Sequence, residues 1–143
     1  MMEGKVARLD RWFEERIALC AQRRQALLAD DRGDEATFEK VRANVYDIFR
    51  TVLSAAGKAS EGEEAAGRFF LRRLESIPTG WKVSYEKARA HDDPVKLRIE
   101  RIKLDAVREI QEQFLRVWGE AERRKRRRSA FSSASRISPG CRY

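Results

Sequence analysis

Histidine occurs once in this chain of 143 residues, cysteine twice, proline three times and glycine eight times. So little glycine and proline excludes a collagenous or wholly disordered chain. No apolar run approaches the ~18–20 residues of a membrane span. The opening MMEGKVARLD lacks the apolar core of a secretory signal, so the expected compartment is the cytoplasm. Cys20 and Cys141 form no CxxC pair and join no Cys/His cluster. Neither a zinc site nor a disulfide framework is therefore expected. Cys20, within a periodic segment, has the character of a small buried hydrophobe.

Motifs for catalysis are missing as well. HExxH, GxSxG, the P-loop and GxGxxG do not occur. His91 stands beside Asp92 and Asp93 in a turn-like stretch, where a surface or capping role is the ordinary one. Ferritin-like di-iron bundles need a Glu-x-x-His pair on each of two helices. One histidine cannot supply two such pairs, and the nearest upstream acid is Glu86. A serine nucleophile would need an activating base, and the single histidine has no defined partner. The expectation is a protein that is not an enzyme and carries no cofactor or metal.

Charge is abundant. Charged residues make up 38% of the chain and apolar residues 42%, with mean hydropathy −0.67 and a net charge of +8. That excess is not spread evenly. Residues 119–143 carry eight basic residues and two acids, whereas residues 1–118 have a net charge of only +2. The pI of 9.9 belongs to the C-terminal tail.

Four long segments have helical periodicity, and none alternates with period two. The first covers roughly residues 5–29, with Val6, Leu9, Phe13, Ile17, Cys20 and Leu27 on one side. The second covers roughly 35–56, with Asp34 as the expected N-cap and Gly57 as the expected C-terminal stop. Ser60 and Glu63 have capping-box spacing and predict a third helix over about 61–76. Pro78 should end it, with a turn at 77–80 and a short helix over 81–90. Asp93 and Pro94 then open a fourth long helix reaching at least Trp118. Three i,i+4 pairs, Arg101–Asp105, Arg108–Glu112 and Glu112–Arg116, should line its solvent side. The fold expected is all-α: an antiparallel bundle of four long helices plus one short helix over residues 1–121. An Arg/Ser-rich tail, 122–143, is expected to be disordered.

Three features suggest function. The fourth long helix has an apolar surface nearly twice the ~100° that one core requires. Val95, Ile99, Ile102, Ala106, Ile110 and Val117 form one stripe, and Leu97, Leu104, Leu115 and Trp118 a second, with Val107 and Phe114 between. Either this helix is central, or its second stripe meets another chain. Next, Arg16, Arg24, Arg42 and Arg73 project into arcs that should be apolar. Such arginines snorkel, find acids or bind an anion. Last, Arg123, Arg124, Lys125, Arg126, Arg127 and Arg128 follow one another and would attract phosphate backbones.

The leading expectation is a small non-enzymatic protein-interaction or self-association module using Leu97, Leu104, Leu115 and Trp118. A nucleic-acid-associated protein binding through its tail is the alternative. An anion- or metabolite-binding bundle built on the four arginines is a third. No membrane partner is expected.

Overall fold

The computed structural model describes the backbone of residues 4–137 and the side chains of residues 4–119. Five helices follow one another: α1 (Lys5–Ala29), α2 (Gly33–Ala59), α3 (Glu63–Ser76), α4 (Pro78–Ala90) and α5 (Pro94–Ile137). There is no strand among the described residues. The expected turn at 77–80 shrinks to the single residue Ile77. Pro78 takes the first position of α4 instead of ending the chain's helical course, because a proline lacks only an N–H that would be unpaired there anyway. α3 and α4 thus make one broken leg, and the architecture is a four-legged bundle.

Contacts between side chains set the directions. Arg50 of α2 pairs with Asp10 near the start of α1, its Nε 2.9 Å from Oδ1. Cys20 near the end of α1 meets Glu39 near the start of α2, so these two helices are antiparallel. Trp118 of α5 reaches the start of α3, while Lys103 lies 5.5 Å over the Trp81 ring of α4. The broken leg therefore runs against α5. α5 touches all four other helices, which makes it the central member.

Aromatic rings join the legs. Trp118 stacks on Phe114 at 4.9 Å and Phe114 on Phe70 at 5.7 Å. Phe70 in turn meets Phe13 at 6.2 Å and Phe49 at 6.3 Å, both edge-on. Such pairs add about 0.5–1.5 kcal/mol each beyond the area they bury.

Helix ends depart from the sequence expectations in instructive ways. Asp93 caps α5 as expected, accepting from the Lys96 N–H at 3.1 Å. α2 begins at Gly33, so Asp34 lies in its first turn beside Glu35 rather than at the cap; acids there still oppose the helix dipole favourably. Gly57 does not end α2, which runs on to Ala59. The capping box does not form either. Ser60 terminates α2, Gly62 precedes α3 with φ +88°, and Glu63 becomes the first residue of α3. Its carboxylate, free of that box, crosses to α1 and accepts from the Lys5 N–H at 2.6 Å. That supplies the cap which Gly4, without a side chain, cannot.

Glu63 serves a second junction. Its carbonyl accepts from the Trp118 indole N–H at 2.9 Å, which requires the indole to lie against the α3 backbone. Gly67 gives that room, since a β-carbon there would sit 2.7 Å from Trp118 Cδ1 and 2.9 Å from Cε2.

The α5 backbone stays helical to Ile137. The tail expected to be disordered, 122–143, has its side chains, and from 138 its backbone, outside the described residues.

Two glycine substitutions test this packing. Glycine to alanine inside a helix ordinarily stabilises by about 0.5–1 kcal/mol. Gly57→Ala should follow that rule, its new carbon meeting Val6 Cγ1 at 3.5 Å, an ordinary contact. Gly67→Ala should reverse it and destabilise by about 1–3 kcal/mol through overpacking on the Trp118 ring. Urea unfolding of both variants beside the parent measures the two signs; a stabilised Gly67→Ala would contradict the junction.

Candidate functional site

The rotation of α5 decides which of its apolar residues are available. Ile102, Ala106, Val107, Ile110, Phe114, Val117 and Trp118 are buried. The core therefore occupies the first sequence stripe together with the arc between the two stripes, and Val95, in the first turn of α5, is left 64% exposed. Trp118 corrects the sequence assignment: at 5% exposure it belongs to the core, not to an interaction surface. The reason is its indole N–H, which finds the Glu63 carbonyl across Gly67. Leu97 and Leu104 are half-buried and Leu115 is 55% exposed.

Leu97, Leu104 and Leu115 fall on one line. At ~100° per residue they lie within about 20° of one another along five turns. Arg101 and Arg108, both exposed, project about 20–60° to one side of that line, towards Glu112 and Asp105. The three expected pairs, Arg101–Asp105, Arg108–Glu112 and Glu112–Arg116, do not close within 4 Å among the described residues. Solvated pairs of this kind gain only about 0.2–0.5 kcal/mol, too little to hold long side chains in place. Arg101 and Arg108 thus have no ion-pair partner among the described residues. Between Tyr85 of α4 and the start of α5, Leu97, Arg101 and Ile102 line an open groove of about 460 Å³.

Arg16, Arg42 and Arg73 have separate partners, and with Arg24 they do not share one cleft. Arg16 lies 5.2 Å over the Trp12 ring and Arg73 5.7 Å over Phe69. Arg24 is exposed. Arg42 alone enters an ion-pair network, with Nε 3.9 Å from Glu39 and Nη1 3.8 Å from Glu109. The buried Tyr46 hydroxyl donates to Glu109 in the same cluster, and Cys20 approaches Glu39. A carboxylate thus lies on either side of Arg42 at ion-pair distance, while Arg42 Nε and Glu39 Oε2 are buried without a hydrogen-bond partner among the described residues.

This cluster holds its protons tightly. Burial, reinforced by the nearby Glu39 carboxylate, pushes the Cys20 thiol up to about 11. Burial and the hydrogen bond to Glu109 push Tyr46 upward as well. A thiol so protonated is a poor nucleophile. His91, exposed at the end of α4, has Nδ1 2.7 Å from the Lys87 carbonyl and acts as a capping donor. Among the described residues no group of His, Cys, Asp and Glu is placed to hold a metal ion. The six basic residues Arg123 to Arg128 and Cys141 lie outside the described side chains.

Glu100 escaped the sequence reading. It is 6% exposed, with Oε1 3.2 Å from Lys103 Nζ. A signal existed, because Glu100, Val107 and Phe114 are spaced by sevens and share the core line.

The Cys20 shift has a pH consequence. A thiol whose folded pKa is raised contributes stability that is present below its unfolded value, near 9, and lost as pH rises towards 11. The stability gap between the parent and Cys20→Ala, read by urea unfolding, should therefore shrink from pH 8 to pH 11 by on the order of 2 kcal/mol. A gap constant over that range would show that the thiol ionises as freely in the folded protein as in the unfolded chain.

Comparison with protein-family models, curated proteins and solved structures finds no match to this chain.

Proposed function

We propose that this chain is a cytoplasmic, non-enzymatic helical module that binds another protein chain through the outward face of α5. The observation carrying this reading is the line of Leu97, Leu104 and Leu115. These leucines run beside two arginines with no partner among the described residues, on a helix whose core face packs against four neighbours. Single exposed leucines are ordinary on protein surfaces, but three in register along five turns form a seam. No helix among the described residues is long and apolar enough to cross a membrane, so a lipid core is not what those leucines serve.

A photo-crosslinking residue placed at Leu104 or Leu115 of the full chain tests the reading. Exposed to cell extract or to the chain itself, it should give a discrete covalent adduct, while the same residue at Arg72 or Lys82 should not. Adducts of equal yield from all four positions, or from none, would contradict it. Leu115→Glu should change stability by less than about 0.5 kcal/mol. Ile110→Glu, which buries an unpaired carboxylate, should cost several kcal/mol. Helical circular dichroism during urea unfolding separates the two.

A second reading rests on the six successive basic residues 123–128, which suit sequence-independent contact with a phosphate backbone. The buried residues of α5 end at Trp118 among the described residues. A chain of residues 1–122 should accordingly unfold within a few degrees of the full protein. Under the second reading the full chain binds duplex DNA with steep salt dependence, and residues 1–118 do not. Salt-insensitive binding by the shorter chain would contradict the assignment of that affinity to the tail.

A further inference from the structure

We infer that the Arg42 cluster is a register lock. Glu39, Arg42 and Tyr46 of α2 and Glu109 of α5 form one polar layer that admits a single alignment of these two helices, at no net gain in stability. This role does not depend on α5 binding a partner.

Seven-residue spacing runs through both helices where they meet. Glu39, Tyr46 and Leu53 lie on one line of α2, and Arg42, Phe49 and Ala56 on another. Tyr46, Leu53, Phe49 and Ala56 are buried, so the two charged residues occupy places that the repeat otherwise fills with core groups. On α5, Glu109 likewise follows the core residue Ile102 by seven. Such a repeat presents a similar apolar surface after a slide of two turns, about 10.5 Å at ~1.5 Å per residue. Apolar contact alone therefore discriminates poorly between alignments.

The polar layer does discriminate. In the observed alignment the Tyr46 hydroxyl donates to Glu109, and Arg42 Nη1 lies 3.8 Å from Glu109 Oε1. A slide of α2 by seven residues in one direction puts Leu53 and Phe49 at Glu109 in place of Tyr46 and Arg42. A slide in the other direction puts Glu39 and Glu35 there. The first error strands a carboxylate among apolar groups, and the second sets three carboxylates together. Holding the fold together is a different matter. Arg42 Nε and Glu39 Oε2 are 3.9 Å apart, and both are buried without a hydrogen-bond partner among the described residues. Ion pairs so incompletely bonded barely repay their desolvation, and apolar residues of similar volume serve as well or better. What a polar group at one layer of a helical repeat does provide is register. Trp12 of α1 lies edge-on to Tyr46 at 5.7 Å and so reports on the same layer.

The test uses the full chain and the indole N–H signals of its three tryptophans in a proton–nitrogen NMR spectrum. Trp12 touches the layer and Trp118 is bonded to α3, so each alignment gives its own set of signals. The parent should show three sharp ones. Arg42→Met leaves two carboxylates without their cation and should lower the urea midpoint by about 1 M or more. Adding Glu39→Met and Glu109→Met should return the midpoint to the parent's or above it, while the indole signals multiply or broaden. A triple variant with the parent's midpoint and three sharp signals overturns the inference, because the register then holds without the layer. A triple variant no more stable than Arg42→Met alone also overturns it, because the layer is then a stabiliser. The same holds for an Arg42→Met midpoint equal to the parent's, or for a parent with more than three signals. Extra signals that grow with protein concentration come from self-association and count against the lock.

Discussion

The indole of Trp118 fixes the rotation of α5, and much else depends on that rotation. Its N–H must find an acceptor once the ring is buried, since an unpaired buried donor costs about 1–3 kcal/mol. The Glu63 carbonyl is that acceptor, reachable only because Gly67 has no β-carbon in the way. The same Glu63 sends its carboxylate to the first turn of α1. One residue thereby ties the starts of α1 and α3 to the far part of α5. Turning α5 so that Trp118 points inward carries Phe114, Val107 and Glu100 inward with it. It leaves Leu97, Leu104 and Leu115 about 40–60° beyond that edge of the core, the first two half-buried and Leu115 exposed.

That arrangement explains why an apolar surface nearly twice the usual width occurs on one helix. Part of the width is used inside the bundle, because α5 faces α1, α2 and the broken α3–α4 leg together. The remainder is the leucine line, which the bundle covers only in part. Leu97 and Leu104 are half-buried and serve the packing in part, whereas Leu115 is exposed and could be replaced by a charged residue at little cost. Their presence beside Arg101 and Arg108 is the physical basis for proposing a binding face.

The sequence made the helices and their order legible because apolar spacing is a long, redundant signal: Phe38, Val41, Val45, Ile48 and Val52 indicate a helix even if one position fails. End residues carry no such redundancy. Ser60 and Glu63 have capping-box spacing, yet Gly62 shifts the start of α3 by a few residues and turns Glu63 towards α1. Nothing local to residues 60–63 specifies that choice; the unmet first turn of α1, about 58 residues earlier in sequence, does. Trp118 was misplaced for a related reason. Its angular position on the helix is marginal, and only the distant Gly67 and Glu63 decide that it turns inward. Arg42 shows the same limit, since its place in an apolar arc leaves snorkelling, acidic partners and anion binding all open, and only the fold brings Glu39 and Glu109 to it.

The central claim is that α5 buries Trp118 and Phe114 while presenting Leu115 and the leucines before it. Hydroxyl-radical footprinting of the native full chain, normalised residue by residue to the unfolded chain, reads this directly. Trp118 and Phe114 should be strongly protected and Leu115 almost unprotected, with Leu97 and Leu104 between. Protection of Leu115 equal to that of Phe114, or labelling of Trp118 at its unfolded rate, would contradict the account.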